Sequence, residues 1–529
     1  MAAADPQVHI EMLEAALRTA SRELHWANLT IQKKDAEIQL LQERLRKQRI
    51  GFLGPSSETL SDLQLELLAE EEPGVTREEV EAESRREPIL TAPPRERKPH
   101  PGRKPLPEHL PRVEEVIACE TNCTRCGGET RVIGYDSSEV LDREPAKWFV
   151  RVTKREKRSC GKCSAIQMPP LEPRIVEKGL ASDQVIVETV VAKYCDHLPL
   201  YRQEAMLERE AGVEISRVTL DGWVMRVGEL LEPVVGAMRR DLLTASYLQA
   251  DETIVPVQRK GSEALLFAPL KDKMHDHRGE NHQAYLWQYG RPGGETVFDF
   301  CLGRGRDGPK KFLGTWEGVL QTDGYQAYDQ VGGPGLIHVG CWAHARRKFV
   351  DAVKVNPQDG AAIAMVTRMD ALFLVDRHAR EQQVNEEERA ALRREHAQAW
   401  VDEIYSECTK LRAQLLPKSA LGEAVNYTLN MWLKLKRCFD HAAVELSNNI
   451  AENSMRPVAL GRKNWLHVGS AKAGPKVAAI LSVVESCRRL GLPVKDYLMA
   501  VLPGMSQKKH SQAAHLTPAH WKASHGHSG

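Results

Sequence analysis

An aspartate inside an apolar strand constrains this chain more than any other feature. Asp251 lies in the middle of YLQADETIVPV, where a charge costs several kcal/mol unless something compensates it. That block opens a stretch, 245 to 341, whose pattern is that of strands; QAYLWQYG, TVFDFCLG, VLQTDGYQAY and LIHVGCW follow it. A short helical piece, PKKFLGTWEG, precedes the fourth block. Asp323 ends the strand part of VLQTDGY, just where Gly324 opens a turn. A third acid, Glu452, lies in the helical segment NNIAENSMR, four residues before Arg456. Two aspartates on a sheet and a glutamate on a helix can hold hard divalent cations, magnesium or manganese, beside a phosphodiester. Such metals activate an attacking water or hydroxyl and stabilise the leaving oxygen of an in-line displacement. Paired strand-end acids also occur in sugar enzymes, so the acids alone leave both chemistries open.

Composition gives no hint of a polyanionic partner. The 529 residues carry 73 Lys+Arg against 72 Asp+Glu, a formal net charge of +1. A chain of this length is expected to form about three or four units at roughly 150 residues each. No apolar run approaches the ~18–20 residues that span a bilayer, so no membrane association is expected. The start, MAAADPQVHIEMLE, lacks the basic and apolar regions of a secretory signal. Eleven scattered cysteines do not make a disulfide framework. A cytoplasmic, multidomain α+β protein is the expectation.

Four of the cysteines are arranged differently. Cys123 and Cys126 form one C-x-x-C pair, and Cys160 and Cys163 form another after 33 intervening residues. Two such turns complete a tetrahedral zinc site with no open position, which makes it structural rather than catalytic. A zinc ribbon over 113–172 follows, with the basic, alternating WFVRVTKREKRS between the pairs. Cys119, four residues before the first pair, competes as a ligand, though its spacing fits less well.

Ile10, Leu13, Leu17, Ala20, Leu24, Ala27, Ile31, Lys34, Ile38, Leu41 and Leu45 alternate by three and four, a heptad seam that predicts a coiled coil over 1–50 and self-association through it. A long amphipathic helix packed on its own chain reads alike. Residues 51–112 read as linker, acidic and then basic and proline-rich, which disfavours helix interiors and central strands. Arg103 and Lys104, in Pro-Gly-Arg-Lys-Pro, suit a minor-groove arm as well as a plain basic linker. Residues 180–243 read as three helices, Ser182 to Cys195, Leu200 to Glu210 and Ser216 to Leu231. This is the outline of a helix-turn-helix, or of any three-helix bundle. Residues 343–442 are nearly all helix formers, 443–503 hold Glu452 and a further helix, and the His- and Ser-rich tail, 504–529, is expected to be disordered. The His-rich KDKMHDHRGENH reads as a solvated hairpin loop.

Behind Glu452 come Arg456, Arg462, Lys463, Lys472 and Lys476, with no acid between Arg456 and Lys476 and with Trp465 and His467 interleaved. Cations alternating with flat rings suit a nucleic acid, through phosphates and stacked bases. A solvated basic loop is the plain alternative. Gly303-Arg304-Gly305 is too short for a nucleotide site, and no P-loop or Ser/His/Asp triad is evident.

YLQADET, LQTDGYQAYD, GCWAHARRKF and AENSMRPVALGRKNWLHVGS resemble the signature blocks of the bacterial transposases of insertion-sequence family 66. The likeness runs over almost the whole chain, through the GRKPLPEHLPR linker, the four-Cys ribbon and LTPAHW near the end. It implies a DDE triad on a ribonuclease-H-like α/β core, falling on Asp251, Asp323 and Glu452, with core parts at 245–342 and 443–503. It also implies that 343–442 is a helical insertion, and that accessory proteins of the same element take part. Cys341 and His344 match a C-x-x-H signature of several DDE groups; they would make half a metal site with no second half apparent, so a structural or DNA-contacting role is expected. Asn453 stands where Arg is common, and Leu466-His467 where Leu-Phe is usual; both put DNA-contact detail in doubt. The activity implied is metal-dependent cleavage at element ends and transfer of the 3′-hydroxyl into target DNA, in the bacterial nucleoid. A catalytically silent zinc-containing DNA-binding regulator and a metal-dependent DNA nuclease are the rivals. Local charge accommodates all three, because the +1 sums an acidic linker and separate basic stretches.

Overall fold

The computed structural model describes residues 172–258 and 281–525, with 148–152, residue 170, the backbone at 158–159 and 166–167, and positions 31, 34, 38, 41–43 and 45. The ribbon cysteines Cys123, Cys126, Cys160 and Cys163, the pair Arg103 and Lys104, the His-rich loop and most of the heptad segment lie outside them. Residues 90–168 form one unit and the rest of the chain another. In the first, β1 (Arg158–Ser159) pairs antiparallel with β2 (Ile166–Gln167), and Cys160 and Cys163 fall between them in sequence.

In the larger unit, α1 (Asp183–Tyr194), α2 (Leu200–Ala211) and α3 (Arg217–Leu242) precede the sheet. Ser182 and Ser216 cap α1 and α3 by accepting from Val185 and Thr219 amides. Gly212, at φ 64, ends α2 in the left-handed region. The third helix runs past the expected Leu231 to Leu242, carrying Pro233 within it, because Leu231, Val234, Ala237 and Met238 continue its buried stripe.

Five strands follow: β3 (Tyr247–Gln258), β4 (Asn281–Gly290), β5 (Thr296–Cys301), β6 (Val319–Gln321) and β7 (Ile337–Val339), with α4 (Asp307–Leu313) before β6. Their order is β5-β4-β3-β6-β7. The β3–β4 and β4–β5 pairings are antiparallel, while β3–β6 and β6–β7 are parallel. The helical region between β7 and Glu452 comprises α5 (Trp342–Val355), α6 (Gly360–Glu381), α7 (Glu386–Leu392), α8 (Gln398–Gln414), α9 (Ala420–Asn430) and α10 (Trp432–Asp440). Then come α11 (Asn449–Trp465), α12 (Ala473–Leu490), α13 (Val494–Val501) and α14 (Pro518–His525).

The edge of the sheet shows how sequence becomes packing. An outer strand leaves backbone groups unpaired, which invites association with other chains. Here α12 covers β5, and two of its serines replace the missing strand. Ser482 Oγ accepts from the Phe298 amide at 2.8 Å, and Ser486 Oγ accepts from the Thr296 amide and donates to its carbonyl, both at 2.9 Å. The rest of α12 from Val477 to Cys487 is buried, as a helix apolar all round should be.

The tail after Gly504 differs from expectation. Ala513 is buried, α14 is a helix, and the Trp521 ring meets Tyr497 of α13 edge-on at 5.9 Å. Glu295 Oε1 accepts from the Ala519 amide at 2.6 Å. Hydrophilic composition hid a few apolar anchors that suffice to dock the segment.

Candidate active site

The two aspartates sit at matching positions. Gln249 of β3 pairs in parallel register with Gln321 of β6, and Asp251 and Asp323 each lie two residues further on. Side chains alternate along a strand, so equal offsets from a paired residue project to the same face, with adjacent strands about 4.8 Å apart. β6 ends at Gln321, so Asp323 emerges on the turn beyond it. Gly324 takes φ 99, and a Cβ there would run into the Met431 side chain; the tight turn therefore depends on glycine. Asp323 Oδ1 accepts from the Tyr325 amide at 2.8 Å, and its carbonyl accepts from the Tyr427 hydroxyl of α9 at 2.8 Å.

Asp251 is half-buried and its carboxyl is pushed up to about 8. Burial is the largest cause, followed by the negative charges of Glu252 and Asp323, with a smaller contribution from Glu452. No cation pairs with Asp251 among the described residues. Its neighbour Glu252 takes the other side of the strand: Arg304 contacts it at 2.7 Å, and the Tyr328 hydroxyl donates to it at 2.9 Å. Arg304 lies over the Tyr325 ring at 4.0 Å. The residue dismissed with Gly303 and Gly305 as part of too short a motif thus serves as the counter-charge of a nearly buried acid.

Glu452 stands in the first turn of α11, and the segment leading into that helix is fastened to both aspartate strands. Gln249 Nε2 donates to the Ser447 carbonyl at 3.0 Å and to Gln321 Oε1 at 2.9 Å. Gln321 Nε2 donates to the Glu445 carbonyl at 2.7 Å and to Gly340 at 3.2 Å. Both glutamines are buried, at 1% and 0% exposure, so these bonds hold in a low-dielectric setting where leaving them unmade is costly. Sequence reasoning passed over them, although the signal was present: Leu248-Gln249-Ala250-Asp251 and Leu320-Gln321-Thr322-Asp323 repeat L-Q-x-D.

The carboxylate of Glu452 faces α5. Its Oε2 lies 3.3 Å from Arg347, and its Oε1 3.6 Å from His344 Nδ1. Cys341 caps the same helix. Among the described residues, Cys341, His344 and Glu452 are the group of His, Cys, Asp and Glu side chains whose ligand atoms all fall within 4.8 Å of one another. Glu452 thus lies beside Cys341 and His344, for which the sequence offered no further ligand and a structural or DNA-contacting role was the expectation. Burial pushes the Cys341 thiol up to about 11, against backbone amides of Asn448, His344 and Ala343 that favour its charged form.

The basic run behind Glu452 divides in two. Arg456, Lys463 and Lys472 are exposed. Arg462 is half-buried and donates to Thr253 Oγ1 at 3.1 Å and the Ile254 carbonyl at 2.6 Å. Trp465 is half-buried, with Lys193 over its ring at 5.8 Å, so it offers less free face than its sequence context implied. It lines a cavity of about 430 Å³ together with Lys193, Tyr194, Asp221, His467 and Lys476. Beyond it, Val468 bridges to the end of β3, accepting from the Gln258 amide at 3.0 Å.

Residues 178–476 match the family model described as Transposase IS66 family. Residues 120–164 match the zinc-finger binding domain of transposase IS66, and 40–114 match a model described as Transposase C of IS166 homeodomain. Similar proteins occur in Sinorhizobium fredii (strain NBRC 101917 / NGR234), all described as uncharacterized. Protein y4qI is 32% identical over 427 residues, covering 78% of this chain and 75% of its own. Protein y4hP is 30% identical over 513 residues, covering 92% and 88%. Protein y4jD is 30% identical over 429 residues, covering 79% and 82%.

Proposed function

The chain belongs to the IS66 transposase family, and on that premise we propose that it cuts DNA at the ends of its mobile element and joins the freed 3′-hydroxyl to target DNA. Asp251, Asp323 and Glu452 are the catalytic carboxylates in this reading, carried on a ribonuclease-H-like core. The observation that carries it is the equal offset of Asp251 and Asp323 from a paired register position, with the segment before Glu452 bonded to both strands. The sheet order, third-second-first-fourth-fifth among the core strands with the second antiparallel, supports the same core.

The donor set suits a hard divalent cation. Asp251 has no cationic partner among the described residues, and burial, with the negative charges of Glu252, Asp323 and Glu452 behind it, raises its carboxyl. Magnesium or manganese held there would activate the attacking oxygen and neutralise the leaving one. The chain's own task is to hold the three acids on a rigid frame. Exposed Arg456, Lys463 and Lys472, with Arg347 and Lys348 on α5, would take DNA phosphates. Arg462 and Trp465 would act mainly by shaping that surface. Arg103 and Lys104 would add a basic arm.

Structural zinc on Cys123, Cys126, Cys160 and Cys163 fits the family's zinc-finger region. Ile31, Ile38, Leu41 and Leu45 are helical and exposed at seam positions, which supports self-association through a coiled coil. We assign the protein to the cytoplasm and nucleoid, acting with accessory proteins of the element; no helix among the described residues is long and apolar enough to cross a membrane.

A strand-transfer assay with labelled element ends and magnesium tests this reading. Joined products from wild type and none from Asp251→Ala are expected. Full strand transfer by Asp251→Ala overturns the triad; hydrolysis without joining points to a nuclease, and binding alone to a regulator.

A further inference from the structure

We propose that Cys341, His344 and Glu452 form a second metal site, for a zinc-class ion rather than magnesium, and that its occupancy holds Glu452 away from the two aspartates. The site goes beyond the catalytic reading, while its inhibitory consequence rests on that reading.

Three observations converge. The ligand atoms lie within 4.8 Å of one another. His344 Nδ1 and Glu452 Oε1 are 3.6 Å apart, and two nitrogen or oxygen ligands of one tetrahedral ion lie roughly 3.3 Å apart. Both atoms are also buried without a hydrogen-bond partner, an arrangement that leaves two polar atoms unsatisfied unless something sits between them. The third ligand, Cys341 Sγ, is fully buried and receives backbone amides, the Asn448 N–H at 3.5 Å among them.

The donor chemistry selects the ion. A thiolate and an imidazole favour zinc-class metals, and magnesium prefers oxygen alone. On binding, the Cys341 S–H bond breaks, a sulfur–metal bond forms, and the proton passes to solvent. His344 and Glu452 are part-exposed, at 22% and 28% of their side chains. Arg347 remains on Oε2, so the ion would take the free Oε1. A Glu452 engaged in this way cannot complete a magnesium site, and the protein would be held inactive until the ion leaves.

The test is metal content of the purified full chain after loading with zinc, and with cobalt as a spectroscopic stand-in. Two equivalents are expected in wild type and one in Cys341→Ser. One equivalent is likewise expected in His344→Ala, whose partly exposed position spares the core if the serine variant fails to fold. Cys160→Ser combined with Cys163→Ser should also keep one, with a cobalt spectrum showing a single thiolate. Metal content unchanged in both Cys341→Ser and His344→Ala overturns the site. In magnesium-supported strand transfer, zinc should inhibit wild type at least tenfold more strongly than His344→Ala; equal inhibition overturns the switch. Loss of the triad reading would leave the two equivalents intact, and loss of this site would leave magnesium-dependent strand transfer intact, so the two failures are distinguishable.

Discussion

Two aspartates in this protein, one buried and one half-buried, are treated in opposite ways. Asp376, in α6, is 1% exposed. Arg393 grips it with two bonds of 2.8 and 2.7 Å, and Arg389 adds a third at 2.7 Å. Although burial works to raise it, bonding and charge from Arg393 and Arg389 hold its carboxyl below the usual range. Asp251 has acids for neighbours and no cation among the described residues, and its carboxyl rises to about 8. A carboxylate that serves only the fold is neutralised within the fold. One left uncompensated where two strands and a helix meet is built to receive its counter-charge from outside.

The comparison breaks first at activity. Asp251→Asn should lower strand transfer by about a thousandfold or more, on the order of 4 kcal/mol of transition-state stabilisation. It should leave thermal stability in magnesium-free buffer unchanged or raised, because it removes a charge the fold does not compensate. The pH dependence follows with a definite sign. A carboxyl raised in the folded state contributes stability that is full below its unfolded pKa and lost as pH rises toward about 8. Wild type should therefore lose stability relative to Asp251→Asn between about pH 4 and 8, by a few kcal/mol at most. Parallel curves over that range would show that Asp251 is compensated after all.

Asp376→Asn should do the reverse. It leaves two guanidiniums facing a neutral amide, and breaking a buried pair in this way costs about 3–5 kcal/mol. Arg393 also donates to the carbonyls of Cys438, His441 and Val444, which lie on the approach to α11. Denaturant unfolding should report the whole loss, while the protein that remains folded keeps its magnesium dependence. Because the Asp376 carboxyl is lowered in the folded state, its contribution is present above its unfolded pKa and lost as pH falls.

The glutamine clamp lies between these extremes. Gln321→Leu removes donors from the Glu445 and Gly340 carbonyls and the acceptor of Gln249 and the Tyr247 hydroxyl. Leaving such buried groups unpaired costs about 1–3 kcal/mol. If the clamp positions the triad, strand transfer at saturating DNA should fall more than tenfold while DNA binding holds. An equal fall in both would make the clamp merely structural.

These contrasts also show what the sequence could reveal. The five strand blocks and the helix before the fourth were legible because each is short, apolar and closed by turn residues, and β3 to β7 occupy them. Asp251 was legible because a charge in an apolar strand violates a local rule. Its matching offset with Asp323 depends on register between β3 and β6, and the tether of the segment before Glu452 depends on bonds spanning about two hundred residues, such as Gln249 to Ser447. No local pattern encodes these. Cys341 and His344 seemed half a site because their partner lies over a hundred positions away in sequence. The tail misled because Trp521 and Ala513 are few among many polar residues, yet docking needs only a few anchors.

The smallest expected effect tests whether burial, rather than charge count, decides the opening contrast. Arg380 contacts Glu445 at 2.8 Å, as Arg389 does at 3.2 Å, so on paper both belong to the Asp376 network. The Arg380 side chain is 56% exposed, and that of Arg389 is 12%. A pair open to water trades hydration for a screened attraction of similar size, so Arg380→Ala should change stability by about 0.5 kcal/mol or less. Arg389→Ala should cost several times more, because Asp376 and Glu445 would both lose a partner inside the protein. Similar losses from the two variants would mean that the network shares its charge evenly, and that the neutralised state of Asp376 does not depend on exclusion of water.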